Sequence, residues 1–96
     1  MQYNFEWDPA KSRENLRKHR VSFMRAAQVF LDPSAVSIYD EEHSAEEERW
    51  ITLGQDQNSV LLVVVHTFRE LAQEDATIRI ISARRATRKE AAEYKR

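Results

Sequence analysis

The sequence predicts an α+β domain with an antiparallel sheet of about four to five strands, two N-terminal helices on one face and a C-terminal helix. Three observations lead there. Between residues 49 and 85 lie three apolar segments rich in β-branched and aromatic residues, Trp50-Ile-Thr-Leu-Gly54, Val60-Leu-Leu-Val-Val-Val-His-Thr-Phe68 and Thr77-Ile-Arg-Ile-Ile-Ser-Ala83, each better suited to a strand than a helix. Ahead of them, Phe23, Ala26, Ala27, Phe30 and Leu31 follow the spacing of a core-facing helical stripe. Behind them, Thr87-Arg-Lys-Glu90 has the spacing of a capping box that opens a last helix.

Taken in order, Tyr3-Asn-Phe-Glu-Trp7 alternates apolar and polar residues, the pattern of a short edge strand. Asp8-Pro9 supplies a helix start, with aspartate as the cap and proline at the first helical position. The helix runs to about residue 19 and is polar, with Leu16 its main apolar residue, so it belongs mostly on the surface. Val21-Ser22 interrupts it and caps the striped helix, which ends at Asp32-Pro33 because a residue before proline is pushed out of helical geometry. Residues 35–39 read as a strand. Residues 40–48 carry Asp40, Glu41, Glu42, Glu46, Glu47 and Glu48, a density of like charge that belongs in a solvated loop; Ser44 with Glu47 has the spacing for a helical turn. The three strands follow, the middle one a continuous apolar run suited to a central position covered on both faces. Turns are expected near residues 56–59 and 69–76.

At 96 residues the chain makes one small domain, residues 1–96. A hydrophobic content of 42% supports a core and argues against disorder. The net charge is -1, so affinity for nucleic acid requires a local patch. There is no cysteine, which excludes disulfide and thiol chemistry and suits a reducing compartment. No apolar leader or membrane-length run is present, and the expectation is a cytoplasmic protein without membrane contact. One glycine leaves the turns to Asp, Asn, Ser and Pro.

Cations collect at the strand ends: Arg49, Arg69, Arg79, Arg84 and Arg85, with His66 among them. From residue 79 onward there are seven basic residues against two acidic ones, and arginine offers a planar fork matched to phosphate oxygens. Arg88, Lys89 and Lys95 are better read as solvating the last helix. Strict alternation puts His66 with Leu62, Val64 and Phe68, and Arg69 on the opposite face with Val63, Val65 and Thr67. It also groups Arg79, Ile81, Ala83 and Arg85 against Ile78, Ile80, Ser82 and Arg84. A buried, hydrogen-bonded His66 competes with a catalytic one. The H-E-x-x-H motif, the P-loop and the dinucleotide fingerprint are all missing. His19, His43 and His66 lack metal-ligand spacing, so neither a metal nor a cofactor is expected. The composition favours cations gripping a phosphate while His or Glu moves protons.

A set of motifs resembles the BrnT toxin family: Phe5-Glu-Trp-Asp-Pro9 with Lys11, Asn15-Leu-Arg-Lys-His19, Val21-Ser-Phe23, Glu47-Glu-Arg-Trp50, Gly54, Leu62-Val-Val-Val-His-Thr67 with Arg69, and Ile78-Arg-Ile-Ile-Ser-Ala-Arg-Arg-Ala-Thr87 with Glu90 and Tyr94. The resemblance spans nearly the whole chain in order. It implies a RelE-like ribonuclease fold and the toxin half of a bacterial type II toxin–antitoxin pair that cleaves RNA and inhibits translation. The implied partner is a ribbon-helix-helix antitoxin, BrnA-like, through which the toxin meets operator DNA only indirectly. One departure is Glu70-Leu-Ala-Gln-Glu-Asp75, a loop without glycine and acidic at both ends, beside Arg69.

With the resemblance comes an expected mechanism: metal-independent attack of an RNA 2′-hydroxyl on the adjacent phosphate. Arg69, Arg79 and Arg84 are the candidates to bind that phosphate, with Glu48 or His66 as base or acid and His19 a weaker choice. Lys18, Arg49 and Arg85 are candidates to grip the RNA backbone, and Trp50 or Tyr94 to stack a base. Two alternatives use the same cations without turnover: an RNA- or protein-binding module, and a structural partner that docks an acidic peptide.

Overall fold

A computed structural model describes residues 2–71 and 74–95. Ala72 and Gln73 of the expected 69–76 turn, and Arg96 of the basic tail, lie outside the described residues. The elements are β1 (Gln2–Glu6), α1 (Pro9–His19), α2 (Phe23–Gln28) continued by a 3-10 turn (Val29–Leu31), β2 (Val36–Tyr39), a second 3-10 turn (Glu41–His43), β3 (Trp50–Gln55), β4 (Leu61–His66), β5 (Arg69–Glu70), β6 (Asp75–Arg85) and α3 (Arg88–Tyr94). The helix starts follow from local chemistry. Asp8 accepts from the Ala10 N–H with Pro9 in the first turn, Ser22 accepts from the Arg25 N–H, and Thr87 with Glu90 forms a complete capping box.

The strands form one sheet in the order β1-β6-β4-β3-β2, with β5 also paired to β6. It is mixed, not antiparallel as expected: β1 runs parallel to β6, from Gln2↔Asp75 to Glu6↔Arg79. Alternation in β1 marks a strand but carries no information about its partner or direction, and β6 has an open edge to offer.

A bulge in β6 overturns the strict alternation expected for that strand. Val65 pairs with Ser82 but His66 with Ile80, leaving Ile81 without a partner. Ala83 therefore joins Ile80 and Ile78 on the inner face, in the core with Leu62, Val64, Val21, Phe23, Ala26 and Val29. Arg79 and Arg84 come to share the outer face.

The two early helices both pack against β6 and touch each other, but they contribute to the core unequally. α2 and its 3-10 extension insert Phe23, Ala26 and Val29 into the core. The tightening after Gln28 shifts the stripe, so Val29 turns inward while Leu31 is left 74% exposed. In α1 the buried residue is Asn15, and Leu16 is half exposed. Asn15 Nδ2 donates to the Ala83 and Val21 carbonyls at 2.8 and 2.9 Å, and its Oδ1 accepts from the Ala83 N–H at 3.1 Å. Where β1 ends, one amide side chain thus takes the place of a neighbouring strand along the β6 edge.

The glycine Gly54 serves packing, not a turn. A Cβ there would sit 3.0 Å from Ala35 Cβ and 3.2 Å from Val29 Cβ, so its absence lets β3 approach the 3-10 turn. Left-handed turn positions are filled by Arg20, Ser59 and Glu74. Among the described residues no helix is long and apolar enough to cross a membrane.

Candidate functional site

At one end of the outer face the strand registers gather a set of charged side chains. Glu6 of β1 stands beside Arg79 of β6, and Arg69 of β5 stands opposite Thr77. Thr67 links the two rows: its N–H donates to the Arg79 carbonyl at 2.9 Å, and the Arg79 N–H donates to its hydroxyl at 3.3 Å. The acidic loop closes over this corner because its base is stitched shut. The Asp40 N–H donates to the Arg49 carbonyl, while Ser44 Oγ donates to the Asp40 carbonyl and accepts from the Arg49 N–H. The result is a cleft of about 360 Å³ lined by Glu6, Glu47, Glu48, Thr67, Phe68, Arg69, Thr77 and Arg79.

Within it Glu47 is paired with Arg79, and Arg49 Nη2 lies 3.8 Å from the same carboxylate. The Arg79 hydrogen bond, with further pull from Arg49 and Lys11, holds the Glu47 carboxyl below its usual range. Arg49 has a buried Nε with no hydrogen-bond partner among the described residues. Arg69 is exposed and carries no ion pair among the described residues. Chemically, the cleft offers two guanidinium groups, one neutralised internally, and exposed Glu48 beside them.

Of the catalytic candidates, then, Arg69, Arg79 and Glu48 meet in one cleft with Arg49 adjacent; His66 and Arg84 do not join them. Arg84 makes a two-pronged pair with Glu90 at 2.8 and 2.9 Å, tying β6 to α3. His66 lies on the inner face and is 2% exposed. Its ring stands edge-on to Phe30, Nδ1 is 2.9 Å from the Thr67 carbonyl and Nε2 2.6 Å from the Thr52 hydroxyl. Burial pushes its pKa down, so the neutral ring is favoured.

The RNA-binding candidates scatter. Lys18 pairs with Glu14 on exposed α1 at 3.4 Å, and His19 is exposed at the end of that helix. Arg85 is exposed beyond the core end of β6. The Tyr94 hydroxyl donates to Asp32 at 2.5 Å, docking α3 onto the loop before β2. Trp50 is half-buried on the inner face against Tyr39. Among the described residues no three His, Asp or Glu side chains group closely enough to hold a metal ion.

Two charged cleft residues were not among the candidates drawn from the sequence. Glu6 had a usable signal, since alternation in β1 puts it opposite Phe5. Glu47 had only its place in the Glu47-Glu-Arg-Trp50 motif, because the loop's path back over the sheet depends on contacts with Ser44 and Arg79.

A family model described as "Ribonuclease toxin, BrnT, of type II toxin-antitoxin system" matches residues 7–90. The chain belongs to the BrnT family. A crystal structure of the Brucella abortus ribonuclease toxin BrnT is similar to it at 21% identity with a TM-score of 0.62, covering 92% of this chain and 100% of that one; at that identity the likeness speaks for the fold. No curated protein matches the chain. As a member of a BrnT toxin family, the chain has RNA as its implied substrate and an antitoxin as its implied partner.

Proposed function

We propose that this BrnT-family chain is a metal-independent endoribonuclease whose outer-face cleft holds the scissile phosphate between Arg69 and Arg79. The observation that carries the proposal is the meeting of Arg69, Arg79 and Glu48 in one cleft, with Arg69 unpaired among the described residues. Glu48 takes the proton of the 2′-hydroxyl. The 2′-oxygen forms a bond to phosphorus, the bond from phosphorus to the 5′-oxygen breaks, and the leaving 5′-oxygen takes a proton from solvent water, so that a 2′,3′-cyclic phosphate and a 5′-hydroxyl end result. The arginines stabilise charge building on the phosphate oxygens. In the unbound protein Glu47 occupies Arg79, and the substrate phosphate displaces it. His66 and Arg84 hold the scaffold in this scheme, His66 by fixing Thr67 and Arg84 by anchoring α3.

The same proposal places the fold among RelE-like nucleases, the activity in translation inhibition in the cytoplasm, and neutralisation with a ribbon-helix-helix, BrnA-like antitoxin that carries the pair to operator DNA.

Purified protein is incubated with RNA in excess chelator and the new ends are mapped. Wild type is expected to produce cyclic-phosphate ends, and Arg69→Ala or Arg79→Ala to lose about 10²–10³ in rate. Full activity in the double variant, or cleavage only on adding a divalent metal, overturns the proposal. RNA retention without new ends replaces the enzyme with a binding module.

A further inference from the structure

On the inner face, beyond the reach of α2, a second cavity of about 240 Å³ opens at the same end of the sheet. Its walls are Tyr3, Phe30, Trp50 and Phe68, with Ser37 and His66 as the remaining lining residues. The aromatic walls are braced edge-on: Phe30 by His66 at 4.8 Å and Tyr3 at 6.1 Å, Trp50 by Tyr39 at 5.3 Å. Among the described residues no charged side chain lines it, so it favours an uncharged planar ring over an anion.

The polar chemistry that Ser37 offers follows from a chain of hydrogen bonds. The Thr67 carbonyl can only accept, so His66 Nδ1 carries the proton toward it. Nε2 of the neutral ring must then accept, which requires the Thr52 hydroxyl to donate to it at 2.6 Å. With its proton committed, the Thr52 oxygen accepts from Ser37 Oγ at 2.7 Å. Ser37 is left with only lone pairs for the cavity. Ser37 therefore seeks a flat ring that bears an N–H donor, which a nucleobase has and a phenyl ring lacks. Phe68 lines both this pocket and the arginine cleft, so base and phosphate sites adjoin around one side chain.

We infer that the inner-face pocket binds one unpaired nucleobase of the RNA strand, stacked against Trp50 and Phe68 and donating a hydrogen bond to Ser37. The ligand class rests on the nuclease proposal above, but the test separates the two. Wild-type protein is titrated with a short labelled 2′-O-methyl oligoribonucleotide, which lacks the attacking hydroxyl, and with the same backbone made abasic. The base-bearing strand is expected to bind about fiftyfold tighter, as stacking and one hydrogen bond require. Ser37→Ala narrows the gap by about fivefold, and Trp50→Ala by about tenfold. Equal affinity for the two strands, or a gap unmoved by both substitutions, overturns the inference, as does failure of either strand to bind. Should Trp50→Ala abolish antitoxin binding while leaving the gap intact, the pocket is a protein contact instead. A base-dependent gap without RNA cleavage under the conditions of the nuclease assay keeps the pocket and discards the nuclease.

Discussion

Removing the Asn15 side chain should destabilise this protein more than removing any apolar side chain of α1. Asn15 is 6% exposed and makes three hydrogen bonds to backbone groups, two of them to a residue 68 positions away. A hydrogen bond contributes about 1 kcal/mol net, and a stranded buried donor or acceptor costs about 1–3 kcal/mol. In Asn15→Ala the Ala83 N–H and the Ala83 and Val21 carbonyls all lose their partner, so the expected loss is about 3–5 kcal/mol. That is a large share of the roughly 5–15 kcal/mol available to a domain of this kind. It corresponds to a fall in melting temperature of about 12–40 °C. Urea unfolding at neutral pH measures it directly. Leu16→Ala, one position along and half exposed, serves as control and should cost about 0.5 kcal/mol or less. An Asn15→Ala protein within 0.5 kcal/mol of wild type, or a costlier Leu16→Ala, would refute the idea that this amide stands in for a strand.

Two further expectations concern the ion pairs. Glu90 has its pKa lowered from 4.5 to about 2, chiefly by the Arg84 hydrogen bond and then by the Thr87 backbone. Its contribution is therefore fully present above about pH 4.5 and lost as the pH falls toward 2. With Arg84 42% exposed, solvent screening reduces it to about 1 kcal/mol. Wild type should lose more stability between pH 6 and pH 3 than Glu90→Gln, and parallel unfolding curves would contradict the assignment. Glu47→Gln should release Arg79 and tighten binding of inorganic phosphate by about two- to fivefold, the scale of an exposed pair; weaker binding measured by calorimetry would mean that Glu47 does not compete for the anion site.

Local signals in the sequence were sufficient for the helix starts. Asp8, Ser22 and Thr87 each satisfy N–H groups two or three residues away, a range over which sequence order and spatial order coincide. The β4 run was equally legible because six consecutive apolar residues, from Val60 to Val65, suit a strand covered on both faces. Side-chain alternation placed Arg69 and His66 on opposite faces, as the cleft and the inner pocket show. It failed in β6, where the unpaired Ile81 reverses the phase and brings Arg79 onto the same face as Arg84.

What the sequence by itself determined, then, is the inventory: which segments fold into helices and strands, where the helices begin, and that arginines rather than metal ligands dominate the strand ends. Tertiary structure decided which of those arginines meet. Arg79 reaches the cleft because Glu6 of β1 and Thr67 flank it there, Arg84 is drawn off by Glu90 on a helix that packs back, and Glu47 enters from a loop closed by Ser44. Each of these depends on contacts between distant segments. A period of 2 or 3.6 residues encodes the face a side chain takes within its own element, but not the neighbour that awaits it there.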